Sequence, residues 1–346
     1  MNTASPTQTT GQSRRRTTLT FAILSVLLVT LSAANLLTGD SGLPATALIG
    51  AMTGGSDHTG YAGAILSLRI TRIAVAATVG AALSVGGLLM QTMFRNPLAD
   101  PYILGVSSGA SLGAAVLMLG LPLLGLGTSS VAGSLGVAGA AWAGAALVLI
   151  AVGMVSRWVR DILGVLIVGV MFGYVASAII QVLQYLSSAE SLKLFTLWSM
   201  GSTGSVTVQR AIIMAVVVAA GLIMATAHIK SLNLMLLGED YARSMGLDTR
   251  RTRLGIFAAV TLLAGTTTAF CGPVGFVGLA VPHITRMMTA SSDHRVMLPA
   301  TLLAGIDVML TCDIMAKTLV LPINSITALM GVPVILWVIF KNMRRC

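Results

Sequence analysis

The segment from Ile73 to Phe94 reads IAVAATVGAALSVGGLLMQTMF, 22 residues without a charge. A helix needs about 20 predominantly apolar residues to cross the hydrocarbon core of a bilayer, and this stretch meets that requirement. A buried helix of a soluble protein is also apolar, so the decision rests on how often the pattern returns. Comparable runs recur at roughly 17–37, 102–124, 131–155, 162–185, 207–228, 254–271, 275–289, 297–316 and 324–340, the one at 275–289 being short. Together they predict an all-α membrane protein, a compact bundle of about ten transmembrane helices.

Composition agrees. The 346 residues are 55% hydrophobic and 9% charged, whereas soluble chains carry about 25% charged residues. Too few polar side chains remain to cover a water-facing surface, which excludes a soluble enzyme, a disordered protein and a secreted disulfide scaffold. The net charge of +10 would point to nucleic acid in a soluble chain. Here its distribution matters instead, because Lys and Arg accumulate in cytoplasmic loops. Arg69, Arg72, Lys193, Arg210 and Lys317 fall on one side of the predicted membrane, and the other sixteen of the 21 basic residues fall on the opposite side with both termini. An even number of spans with cytoplasmic ends is self-consistent. Residues 1–16, polar and then basic, read as a disordered cytoplasmic tail, and residues 17–341 as the permease-like bundle. The first apolar run is too long for a removable signal peptide and lacks its cleavage pattern.

Glycine organises the packing. Gly105, Gly109 and Gly113 repeat every fourth residue, and Gly133, Gly136 and Gly139 mark a similar face in the fourth run; small residues at such spacing let helices approach closely in lipid. Gly105-Val106-Ser107-Ser108-Gly109 also matches the G-x-S-x-G nucleophile elbow, but no strand precedes it. Cys271, Cys312 and Cys346 form no cluster with one another or with His58, His228, His283 or His294, so metal and redox roles are not expected. None of the four lysines follows a glycine, which excludes a Walker-type phosphate loop and leaves ATP hydrolysis to another subunit.

Two carboxylates lie in the ninth run, where an ionisable group is a functional candidate by default. Asp313 stands four residues before Lys317 and can pair with it on one helical face. Asp307 has no evident sequence partner and reads either as a buried hydrogen-bonded group or as a transport carboxylate. Between the sixth and seventh runs, Ser231 to Arg253 mixes Leu232, Leu234, Leu236, Leu237, Tyr241, Met245 and Leu247 with charges, and Gly238 and Gly246 can end short helices. Two amphipathic helices across the cytoplasmic face would explain it, resting on lipid headgroups or docking another protein.

Several stretches together resemble one family, the membrane permeases of ABC importers for iron chelates, haem and cobalamin (the FecCD or BtuC-like group). Leu68-Arg69-Ile70-Thr71-Arg72 is similar to its L-R-x-P-R element. Gln91, the turn Arg95-Asn96-Pro97-Leu98-Ala99-Asp100-Pro101 and Leu104 to Ala110 resemble its most recognisable block; Leu237 to Gly246 resembles its coupling segment, and Gly272 to Leu279 followed by Pro282, His283 and Arg286 its later motif. Departures are Thr71 for Pro, Lys317 for Arg, and Val320-Leu321-Pro322-Ile323-Asn324 where E-L-P-x-G is usual.

The resemblance implies a multi-pass subunit of the bacterial plasma (inner) membrane that performs no covalent chemistry and holds no cofactor, ATP and Mg being bound by the partner ATPase. Its implied partners are a second permease, identical or different, two ATP-binding subunits, an extracytoplasmic substrate-binding protein and the bilayer, with no nucleic acid. A coupling segment at 231–250 would meet the ATPase through Leu237, Gly238, Glu239, Ala242, Arg243 and Gly246. Asn96 and Leu98 match gate positions, with Arg157 to Asp161 a second gate candidate by position, and Arg69, Arg72 and Lys317 match positions that dock the binding protein. The implied cargo is an iron-siderophore, with haem and cobalamin next. A rival class is an ion-gradient-driven secondary transporter using Asp307, and a third a scaffolding membrane subunit.

Overall fold

The computed structural model describes residues 6–39, 50, 60–124, 134–155 and 162–343. The Arg157 to Asp161 loop, His58, Gly133 and Cys346 lie outside the described residues. All ten apolar runs coincide with helices: α1 (Pro6–Leu37), α2 (Tyr61–Met93), α3 (Val106–Leu123), α4 (Ser134–Val155), α5 (Ile162–Leu186), α7 (Val208–Ala227), α10 (Thr249–Cys271), α11 (Val277–Thr289), α12 (His294–Leu319) and α13 (Ile323–Met343). Among the described residues eight helices are long and apolar enough to cross a membrane. The 13 residues of α11 give only about 20 Å of rise, so the short run makes a short helix. The apolar sequence of α13 runs on to Phe340, ahead of Lys341.

Three shorter helices complete the chain: α6 (Ala189–Ser199), α8 (Ile229–Leu236) and α9 (Glu239–Ser244). The sequence predicts α8 and α9 but not α6. At the other end, α1 starts at Pro6, inside the segment expected to be a disordered tail. Pro is well suited to a first helical position, where its missing N–H would be unpaired in any case, and an existing helix extends at small cost.

The centre of the bundle is α2, buried almost continuously from Val79 to Phe94. No charge interrupts that stretch, which is why neighbours can cover every face of it. Along one side runs α12, so close that a Cβ at Gly80 would lie 2.2 Å from the Gly305 carbonyl oxygen; on another side a Cβ at Gly87 would lie 1.9 Å from that of Gly278 in α11. Small residues at these crossings are therefore required, since packing rather than water release drives helix association in lipid.

A second close pair joins α3 to α4, where a Cβ at Gly113 would approach the Ala140 carbonyl to 2.0 Å and one at Gly144 the Gly109 carbonyl to 2.1 Å. The expected packing face of α3 thus holds for Gly109 and Gly113. Gly105 instead has φ 76° and ends the short 3-10 turn Pro101–Leu104, a left-handed conformation that glycine adopts without strain. On α4 the packing glycine is Gly144, and Gly139 borders open space, contrary to the face read from the sequence. Ser107 sits in the first turn of α3, without the strand a nucleophile elbow needs.

Candidate functional site

The loop between α7 and α10 folds as two short helices whose buried anchors are Leu232 and Met235 on α8 and Ala242 on α9. Gly238 and Gly246 have φ of 116° and 83°, consistent with residues that end helices. Opposite the anchors, Leu237 is 63% exposed, Tyr241 49% and Met245 60%. Leu237 closes α8 ahead of the break at Gly238, and Tyr241 and Met245 follow at four-residue spacing on α9 and at its end. Glu239 and Arg243 do not project freely beside them. One Glu239 oxygen accepts from Arg243 Nη2 and from Arg253 Nη2, each at 2.8 Å, and Arg243 Nε donates to Thr249 Oγ1 at 3.1 Å. Arg253 is buried, so Glu239 acts first as its internal partner, and the segment exposes Leu237, Tyr241 and Met245 alongside Asp240 and Arg243.

Behind these side chains, Asn233 of α8 reaches the start of α12. Its Nδ2 donates to Asp293 at 2.7 Å, while its Oδ1 accepts from the His294 backbone N–H at 2.9 Å and lies 2.7 Å from His294 Nδ1. The carboxylate fixes the amide orientation, so Nδ1 carries the His294 ring proton. Nε2 is left to accept, 2.8 Å from the hydroxyl of Thr92 near the end of α2. Asp293 also caps α12 by accepting from Arg295 N, and these hydrogen bonds hold its carboxyl below the usual range. Sequence reading assigned Asn233, His294 and Thr92 no role; the three are far apart in the chain and no local pattern links them.

Just beyond Thr92 comes the turn that carries the gate candidates. Arg95 has φ 47°, the Asn96 side chain accepts from Leu98 N at 2.9 Å, and Leu98 is exposed. Asp100, buried in the same turn, accepts from Tyr102 N at 2.8 Å, and burial pushes its carboxyl up to about 6. The Tyr102 hydroxyl donates to the Val274 carbonyl at 2.9 Å. Gln91 donates to the Leu279 carbonyl and accepts from Arg286 Nη1, both at 3.1 Å. Motifs separated by nearly 200 residues in sequence therefore meet at one end of α2.

The opposite end of the bundle holds a second polar cluster. Asp313, with 0% side-chain exposure, accepts from Arg72 Nε at 3.0 Å and faces Lys317 Nζ at 3.3 Å. Thr203 and Asn35 donate to the same carboxylate at 2.5 and 3.1 Å, and Lys317 also donates to the Asn35 amide oxygen. The i,i+4 pair expected from the sequence is present, with Arg72 as a third member. Arg69 donates to the Leu36 carbonyl at 2.7 Å. Arg69 and Lys317 are buried, whereas the Arg72 side chain is 30% exposed; of the three residues expected to dock a binding protein, only Arg72 presents part of its guanidinium outward. These side chains line a cavity of about 270 Å³ with Thr38, Leu68 and Gly204.

Thr71, standing where proline is usual, bonds its hydroxyl to the Ser67 carbonyl at 2.7 Å and α2 continues through it. Asn324, in the divergent element, accepts from Gly275 N at 3.0 Å. Asp307 is buried, and neither carboxylate oxygen has a hydrogen-bond partner among the described residues. Cys271 and Cys312 are buried free thiols. Among the described residues no three His, Cys, Asp or Glu side chains converge on a metal position.

Comparison with known proteins agrees with this arrangement. The sequence matches the FecCD transport family over residues 10–341. It is 35% identical over 286 residues to the hemin transport system permease protein HmuU of Yersinia pestis, covering 80% of this chain and 83% of that one. It is 34% identical over 291 residues to the vitamin B12 import system permease protein BtuC of Escherichia coli O9:H4 (strain HS), covering 81% and 84%. The fold superposes with a TM-score of 0.80 at 27% identity on an inward-facing conformation of a protein assigned as a metal-chelate type ABC transporter, over 94% of this chain and 99% of that one. The chain therefore belongs to the FecCD transport family, the multi-pass membrane permeases of ABC importers.

Proposed function

We propose that this permease forms the translocation path of an ATP-driven importer for a bulky metal chelate, an iron-siderophore or a haem- or cobalamin-like complex, in the bacterial inner membrane. Both termini and the α8–α9 segment lie on the cytoplasmic side, a placement that the excess of Lys and Arg there supports. Two such permeases, alike or different, pair across the path, each engages one ATP-binding subunit, and a binding protein delivers cargo at the Arg72 end. ATP and Mg belong to the partner.

One observation carries the reading: the segment exposing Leu237, Tyr241 and Met245 is joined through Asn233, His294 and Thr92 to the turn bearing Asn96 and Leu98. A push on α8 and α9 by a closing ATPase would be passed by hydrogen bonds to the ends of α2 and α12, biasing the bundle between two access states. A secondary transporter built on Asp307 would leave these exposed apolar side chains without a purpose.

Reconstitution in proteoliposomes with the cognate ATPase and binding protein tests it. Uptake of the chelate should require ATP, persist when ion gradients are collapsed, and fall in Tyr241→Ala together with ATPase copurification, a central aromatic being worth 1–2 kcal/mol or roughly tenfold in affinity. Uptake driven by a proton or sodium gradient alone would sink the proposal.

A further inference from the structure

Of the basic residues predicted on the non-cytoplasmic side, Arg210 has no hydrogen bond or ion pair among the described residues. It lies near the start of α7, whose N-cap Thr207 gives no side-chain cap, so free backbone N–H groups and a guanidinium share one location and both attract an anion. The same arginine borders a cavity of about 600 Å³ that is otherwise mostly apolar, with Met118, Leu197, Trp198 and Phe270 among its walls. A second cavity of about 260 Å³ shares Ala138 and Phe270 with the first and continues along Gly139, Trp142, Ile213 and Val217.

The cause is in the packing. Both α4 and α7 rest on α10, while contact between them is slight, and a furrow floored by Thr266 and Phe270 remains. Gly139 deepens it, since a Cβ there would meet nothing within 4 Å. From Arg210 to Val217 the furrow descends about 10 Å along α7. Its own walls include the exposed apolar side chains Trp142 and Ile213, so it opens toward hydrocarbon.

We propose that this furrow holds one phospholipid with a net-negative headgroup, taken from the leaflet opposite the coupling segment. The phosphate sits at Arg210 and the N-terminus of α7, and an acyl chain lies between α4 and α7. A cation at headgroup depth above an apolar channel matches that amphipathic chemistry, whereas a wholly apolar ligand would leave Arg210 unpaired.

Native mass spectrometry of the delipidated, full-length permease tests the assignment, with palmitoyl-oleoyl phosphatidylglycerol and phosphatidylcholine as probes. Wild type should retain one phosphatidylglycerol per chain more tightly than any further lipid. Gly139→Leu, whose Cβ would enter open space, should fill the furrow and weaken that first binding about tenfold or more through the lost burial of a few methylenes; Ile213→Trp, blocking from the other wall, should do the same. Arg210→Gln should keep a bound lipid but erase the preference for phosphatidylglycerol. If both furrow variants stay monodisperse and bind like wild type, or if haem and not phosphatidylglycerol is retained, the proposal fails.

Discussion

Replacing Asp313 by Asn should destabilise this protein by an amount set by what the carboxylate leaves behind. Its side chain is fully buried and serves Arg72, Lys317, Thr203 and Asn35. Arg72, 30% exposed, can turn toward water, and its share of the loss stays within the ~1 kcal/mol of an exposed pair. Lys317, with only 4% side-chain exposure, cannot, and retains the Asn35 oxygens as its partners. Breaking a buried pair from one side costs about 3–5 kcal/mol, so Asp313→Asn should fall in that range. Lys317→Met should cost less, because Asp313 keeps Arg72 and two neutral donors. The double variant removes the stranded charge and should resemble Lys317→Met alone, a coupling of roughly 2 kcal/mol or more in a double-mutant cycle. Unfolding free energies in mixed micelles supply the four corners of the cycle. Additive single effects, or a cost below about 1 kcal/mol for Asp313→Asn, would refute the view that the cluster is held by one carboxylate.

Three further outcomes are expected. Leu98→Trp, at an exposed turn position that needs no repacking of the core, should reduce chelate uptake severalfold while ATPase copurification is unchanged; normal uptake would remove the gate assignment. Asp307→Leu should raise stability by about 1–3 kcal/mol, the desolvation cost of an unpartnered buried polar group, and a loss of stability would mean that Asp307 has a partner after all. Asp100, outside the spanning helices, holds its proton up to about 6 when folded and only to about 3.9 when unfolded. The folded state binds more protons between those values, so stability should fall as pH rises through that window, by roughly 3 kcal/mol in all, and level off above it. Asn can keep the cap at this position, so Asp100→Asn should abolish the slope; an unchanged slope would assign it elsewhere.

What the sequence reveals is local. Apolar run length places the membrane helices because the bilayer imposes a fixed thickness, and Gly238 and Gly246 bound α8 and α9 because helix ends need particular backbone conformations. The helix α6 escapes detection: eleven residues carrying Glu190 and Lys193 are too short for a span and too charged for an apolar run, although Ser188 is a legitimate N-cap. The glycines of α4 show the other limit. Spacing alone cannot distinguish Gly144, pressed against α3, from Gly139, which faces a furrow, because that depends on which helices lie opposite. Arg69 and Lys317 read as outward charges for the same reason: Asn35 lies 282 residues from Lys317, and only the fold brings it close enough to bury the ammonium.

The same two helices carry both polar clusters. One end of α2 and α12 holds Arg72, Asp313 and Lys317; the other holds Thr92, Asp293 and His294 beneath α8. Between the clusters the helices touch backbone to backbone at Gly80 and Gly305, a contact with no flexible side chain to absorb displacement. Close-packed interiors transmit strain rather than dissipate it, so α2 and α12 move as one body when either end is pulled. The Asp313 cluster at one end and Asn233 at the other then bias a single element, and their mutual influence needs no chain of intermediate residues, only that this helix pair occupy different positions in the two access states.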